Sequence, residues 1–318
     1  MELNLKDKKI LTELEMNARI THSELGKKIR LSKQVVKYRI EKLEKEKYIQ
    51  GYNALIDLER LGETIYVIYL KLIKLSTENE NSWIKEIEKN PAILGIGKNA
   101  GNWDLTIALK CKNNLELDVI LKKITQGKQD KIKEKLITSE IESSYLTSKL
   151  LYKLEGKEAH TKQGENIKLG DTDQRIIYEL AKNCRISLVD LASKLKMSAN
   201  GIKHRIKNLE KKEIVIGYKT KINYQKLGFL HFRVFLHLNK FSEELYSKIK
   251  KFLKNKGNVE SISRYMGYAD IDFRCHTKDI VDLYQLISEL KDDFLQEIIE
   301  INSMIIFNWE AINYYPKK

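Results

Sequence analysis

Residues 17–52, NARITHSELGKKIRLSKQVVKYRIEKLEKEKYIQGY, return as residues 183–218, NCRISLVDLASKLKMSANGIKHRIKNLEKKEIVIGY, at a constant offset of 166 and without a gap. Upstream, Asp7 falls on Asp173. Downstream, Leu61-Gly62 falls on Leu227-Gly228, and Gly101 and Asp104 fall on Gly267 and Asp270. A period this long marks the duplication of a whole folding unit and not a solenoid. Two linked copies of a module imply two copies of whatever the module binds.

Each copy opens with three short helical patterns. Ile10, Leu11 and Leu14, like Ile176, Ile177 and Leu180, form the apolar stripe of the first. The second begins with Thr21-His22-Ser23-Glu24, a capping box in which Thr21 and Glu24 satisfy each other's backbone amides; Ser187 and Asp190 form a weaker version. The third is capped by Ser32 or Ser198, and Val36, Ile40 and Leu43, or Ile202, Ile206 and Leu209, fix its buried face. Two short helices joined by a tight turn, the second rich in cations, form a helix-turn-helix pattern. The segments 48–52 and 214–218 then read as a strand turning at Gly51 or Gly217, a small wing.

The rest of each copy changes period. Strands are predicted at 65–72, 93–98, 105–111 and 136–143, with helices at 82–89 and 115–124. The second copy has strands at 229–238, 259–265, 271–275 and 298–306 and helices at 243–254 and 278–290. The order βαββαβ is that of a ferredoxin-like sandwich. The fold class is therefore α+β, in five parts. Residues 1–62 and 169–228 are winged helix-turn-helix domains, 63–154 and 229–318 are sandwiches, and the polar stretch 155–168 is a linker.

The chain has 318 residues and a net charge of +14. Residues 1–57 carry net +4 and residues 168–223 carry net +7, so nearly all the excess lies in the helix-turn-helix parts. Charge concentrated in the same part of each copy points to a polyanion. The outward residues of the third helices are the candidate DNA contacts. In the first head they are Ser32, Lys33, Gln34, Lys37, Tyr38 and Arg39; in the second, Ser198, Asn200, Lys203, His204 and Arg205. Gln and Asn can read adenine by paired hydrogen bonds, while Lys and Arg read guanine or bind phosphate. The unlike faces predict unlike half-sites, or a second head that mainly holds phosphates. Cys111, Cys184 and Cys275 are far apart in sequence and read as reduced core residues. No Cys-x-x-Cys pair or His-rich run suggests a metal, and no catalytic set recurs in both copies, so no cofactor and no enzyme activity are expected. No apolar run is long enough to span a membrane, and the chain is expected in the cytoplasm.

These residues resemble the Lrp/AsnC (leucine-responsive, feast/famine) family of transcription regulators. The family pattern stands here as Asp7, Asn17-Ala18-Arg19-Ile20, Leu31-Ser32, Arg39-Ile40-x-x-Leu43-Glu44, Ile49-x-Gly51-Tyr52 and Leu61-Gly62, and again 166 residues on. The resemblance implies double-stranded DNA as partner, self-association through the sandwiches, and an amino-acid-like effector near Gly101, Asp104, Gly267 and Asp270. The departure is that one chain carries the unit twice, as a covalent pseudo-dimer. Sirohaem decarboxylases resemble the same architecture and hold a tetrapyrrole in the sandwich cleft. On that alternative, Tyr265, Arg274 and His276 would carry the chemistry.

Overall fold

The computed structural model describes residues 3–153, 157–161, 166–311 and 315. The first head is α1 (Leu5–Glu15), α2 (His22–Ile29) and α3 (Lys33–Lys45), followed by β1 (Ile49–Ile56). Each helix start is set by its cap. Asn4 accepts from the amides of Lys6 and Asp7, the Thr21–Glu24 capping box is complete, and Ser32 accepts from Val35. Arg30, in the left-handed region at φ 56°, ends α2 and turns the chain toward α3.

The first sandwich follows as β2 (Thr64–Leu72), α4 (Thr77–Glu88), β3 (Ile93–Ala100), β4 (Leu105–Cys111), α5 (Asn114–Thr125) and β5 (Ile132–Tyr145). The helix expected at 82–89 starts earlier, because Ser76 caps it and its first turn is wholly polar. Part of the predicted linker 155–168 lies outside the described residues. The rest includes β6 (Ala159–His160), which pairs with Ser144 and Tyr145, so this stretch is docked on the sandwich.

The second copy repeats the plan: α6 (Asp171–Lys182), α7 (Leu188–Leu195), α8 (Ala199–Lys211), β7 (Val215–Ile222), β8 (Leu230–Leu238), α9 (Glu243–Lys256), β9 (Val259–Met266), β10 (Ile271–Thr277), α10 (Ile280–Asp293) and β11 (Ile298–Ala311). Within each sandwich the strand order is that of a ferredoxin-like fold, β5-β2-β4-β3 and β9-β10-β8-β11. The two sheets join at both edges, β3 to β11 and β5 to β9, so eight strands close on themselves. Closure leaves neither sheet a free edge in this ring. Helices cover the outer faces over two separate cores, one around Trp83 and Ile107, the other around Ile249 and Phe273. The inner faces meet through Val67, Tyr69, Trp103, Phe235 and Met304.

The wing is not a hairpin within one head. β1 pairs antiparallel with β7 across the two copies, and Gly51 and Gly217 sit inside these strands without a turn. The tie is reciprocal. Arg19 donates to the Cys184 carbonyl and lies over Tyr218; Arg185 donates to the Ala18 carbonyl and lies over Tyr52. One continuous core holds both heads. Local sequence pattern predicts a strand in each head but does not specify its partner, which is set by long-range packing.

Candidate DNA interface and inner cavity

On α3, Ser32, Lys33, Gln34, Lys37 and Tyr38 are exposed, and Val36 and Ile40 anchor the opposite face. Tyr38 keeps 66% of its surface. On α8, Ser198, Asn200, Lys203 and His204 are exposed in the matching places. Arg39 and Arg205 are placed differently from the rest. Arg39 donates to Asp7 at 2.8 Å and Arg205 to Asp173 at 2.9 Å, so each ties its recognition helix to the first helix of its own head. Gly201 lies in the first turn of α8 with its amide on the Ser198 hydroxyl at 3.1 Å.

The hairpins expected near an effector are structural in their polar contacts. Asp104 accepts from the Leu72 amide at 2.8 Å and from Lys71, and Asp270 accepts from the Leu238 amide at 2.7 Å. Gly101 and Gly267 adopt φ of 126° and 114°. They also let each hairpin approach the opposite sheet: a Cβ on Gly101 would lie 3.3 Å from Met304, and one on Gly267 would lie 2.8 Å from the Ile137 carbonyl. These positions therefore belong to the joint between the halves.

A cavity of about 430 Å³ lies beside that joint, between the sandwich interior and the strands that pair the heads. Its two walls are duplicated positions of opposite character. Ile65, Val67, Leu94 and Ala108 line one side; at the offset of 166 their counterparts His231, Arg233, Glu260 and Arg274 line the other. Tyr265, Arg274 and His276 do come together here. Tyr265 donates to Glu140 at 2.9 Å, Arg274 donates to Ser261 at 2.8 Å, and His276 stacks on His231 and Tyr224. His276 lies within β10 and not after it, and Arg233 is held against Asp272 beneath Tyr69 and Tyr265.

Electrostatics follow from burial. Burial alone would raise Glu260, but Lys219 at 2.6 Å and Arg274 hold its carboxyl well below the usual range. Burial and the neighbouring His231 push His276 well below an ordinary histidine, so its ring is neutral. Glu15, from α1 of the first head, reaches the same region. It accepts from the Ser148 amide and the Tyr224 hydroxyl, and burial lifts its pKa to about 7. The cysteines are all buried and free, and burial pushes each thiol up to about 12.

A family model described as winged helix-turn-helix DNA-binding matches residues 3–50 and again 169–216. An uncharacterized HTH-type transcriptional regulator of Pyrococcus furiosus is 37% identical over 119 residues, covering 37% of this chain and 77% of that one. The chain belongs to the Lrp/AsnC family. It does so twice, as a tandem duplication. AsnC of E. coli is also similar, at 23% identity over 45% of this chain and 92% of that one, with a TM-score of 0.37. Over the whole length, the siroheme decarboxylase NirDL shares the fold, with a TM-score of 0.63 at 11% identity over 96% of this chain and 92% of that one. As an Lrp/AsnC protein the chain is a DNA-binding transcription regulator. Among the described residues, no helix is long and apolar enough to cross a membrane.

Proposed function

We propose that the chain binds DNA sequence-specifically as a single-chain pseudo-dimer, reading two unlike half-sites. The observation that supports this most is the pairing of β1 with β7, which fixes in one body two Ser-capped helices with unlike exposed faces. Lys33, Gln34, Lys37 and Tyr38 form one face; Asn200, Lys203 and His204 form the other. Phosphates fit the helix N-termini at Ser32 and Ser198, and base edges fit Gln34 and Asn200. A small effector would occupy the inner cavity, whose size suits such ligands. Self-association beyond the internal pseudo-dimer would use the sandwich surfaces. Selection from a randomised duplex library tests the reading. A bipartite motif with unlike halves is expected; salt-sensitive binding without enrichment would leave a sequence-independent binder.

A second reading has one observation in its favour. Tyr265, Arg274 and His276, the residues a tetrapyrrole enzyme of this architecture would use, share the cavity wall. A solved NirDL complex holds an iron-uroporphyrin III analogue. Titration of the purified chain with an iron tetrapyrrole checks it: tight binding with a shifted Soret band would support this reading, and no shift would remove it.

A further inference from the structure

His231 on β8, His276 on β10 and Glu260 on β9 present one ligand atom each, all within 4.8 Å of one another. The backbone puts them there. His231 and His276 are direct cross-strand partners, and their rings stack at 4.4 Å and 13°. Glu260 is the extra residue where the β9–β10 register shifts between Arg274 and Cys275, a bulge that re-aims its side chain. We propose that these three residues bind a divalent transition metal of the zinc class, as two imidazole nitrogens and one carboxylate oxygen. The fourth position would open to the cavity, for water or a ligand.

Donor chemistry and geometry carry the assignment. Among the described residues, the buried Nε2 of His231 has no well-aligned hydrogen-bond partner, although Oε2 of Glu260 lies 3.3 Å away. A metal about 2.1 Å from each atom would sit off the line joining them, with the nitrogen lone pair turned roughly 40° from that line. A poor hydrogen bond at a short distance is what such a site leaves. Nε2 of His276 lies 3.9 Å from the same oxygen. Because the two imidazoles are stacked and each binds a metal in its own ring plane, completing the triangle requires the half-buried His231 ring to turn about its Cβ–Cγ bond, while His276 stays held against Tyr224. Lys219 from β7 engages the other carboxylate oxygen, Oε1, and Arg274 faces the same carboxylate. These cations weaken a metal's hold without occupying its ligand atom. The mixed His/carboxylate set favours zinc, cobalt or nickel over magnesium or calcium, which prefer all-oxygen shells. The first copy has Ile65, Leu94 and Lys110 at the equivalent positions, so the site is single.

The test is titration of the chelator-stripped full chain with Zn²⁺ by calorimetry and with Co²⁺ by visible absorption. One equivalent per chain is expected, with a tetrahedral or five-coordinate cobalt spectrum. His231→Gln and His276→Gln each remove a ligand and should weaken binding by at least the roughly ten- to hundredfold that loss of an outer-shell partner costs, whereas His204→Gln, on the exposed recognition face, should not. Lys219→Met frees Oε1 and should tighten binding several-fold, so it tests the site even if a buried histidine variant fails to fold. No stoichiometric binding by the folded native chain, a purely aquo-like cobalt spectrum, or binding untouched by His231→Gln, His276→Gln and Lys219→Met would overturn the assignment. None of these readouts requires DNA, so the result stands apart from the regulator reading.

Discussion

At the scale of single residues, Glu15 joins the first head to the sandwich. It is a carboxyl with 1% of its surface exposed, tied by Ser148 and Tyr224. With its folded pKa raised from 4.5 to about 7, the native state holds the proton more tightly than the unfolded chain does. Ionisation therefore costs no stability below the unfolded value, a growing amount as pH rises toward 7, and the full amount above it. Glu15→Gln keeps one acceptor and cannot ionise. It should gain on the native chain between about pH 5 and about pH 8, by on the order of 2–3 kcal/mol. Thermal melts of both proteins across that range check it; a constant difference would show that the carboxyl is ionised throughout. The exposed residues of α3 separate by the same residue-level reasoning. Gln34→Ala should relax preference at one base position by about 1–3 kcal/mol. Lys37→Ala should weaken all duplexes alike and lower the salt slope by about 1. Binding assays on matched and mutated duplexes at several salt concentrations distinguish the two.

At the scale of elements, what was legible was local. The Thr21–Glu24 capping box, the Ser32 and Ser198 caps and the apolar stripes of six head helices are readable from spacing, and each is found where the spacing puts it. The partner of β1 was not readable, because its pairing with β7 is set by the second copy. The cavity wall was half readable. That no catalytic set recurs in both copies argues against the same site in each half. Yet the replacement of Ile65, Val67, Leu94 and Ala108 by His231, Arg233, Glu260 and Arg274 is itself the signal of a single polar wall. Only the fold shows that these positions face one space. The hairpins at the joint give a further prediction. Both Gly101 and Gly267 have φ that strains any other residue, but only at Gly267 would a Cβ meet backbone at 2.8 Å. Gly267→Ala should cost more than Gly101→Ala, by about 1 kcal/mol or more, because the new Cβ would overlap the Ile137 carbonyl at 2.8 Å, whereas at Gly101 its nearest neighbour stands at 3.3 Å. Urea midpoints of the two variants decide it; equal losses would mean that β5 yields without cost.

At the scale of the molecule, duplication freed each half to diverge while the closed ring of strands and the paired β1 and β7 kept the scaffold symmetric. The two copies differ in chemical character at the cavity wall and at the recognition faces. In the heads, Lys33, Gln34 and Tyr38 correspond to Ala199, Asn200 and His204, while Lys37 and Lys203 agree. The helices carrying them have the same length, the same Ser cap and the same buried triad. The difference in readout should therefore move with the side chains alone. Ala199→Lys, Asn200→Gln and His204→Tyr, made together, should turn the selected motif from two unlike halves into an inverted repeat of the half read by α3. The spacing between half-sites should stay unchanged, because it is set by the pairing of β1 and β7 and not by the recognition faces. Library selection with the triple variant reads both quantities at once. An inverted repeat at the original spacing would place specificity in these faces. A motif unchanged in both halves would show that the second head contributes phosphate contacts only.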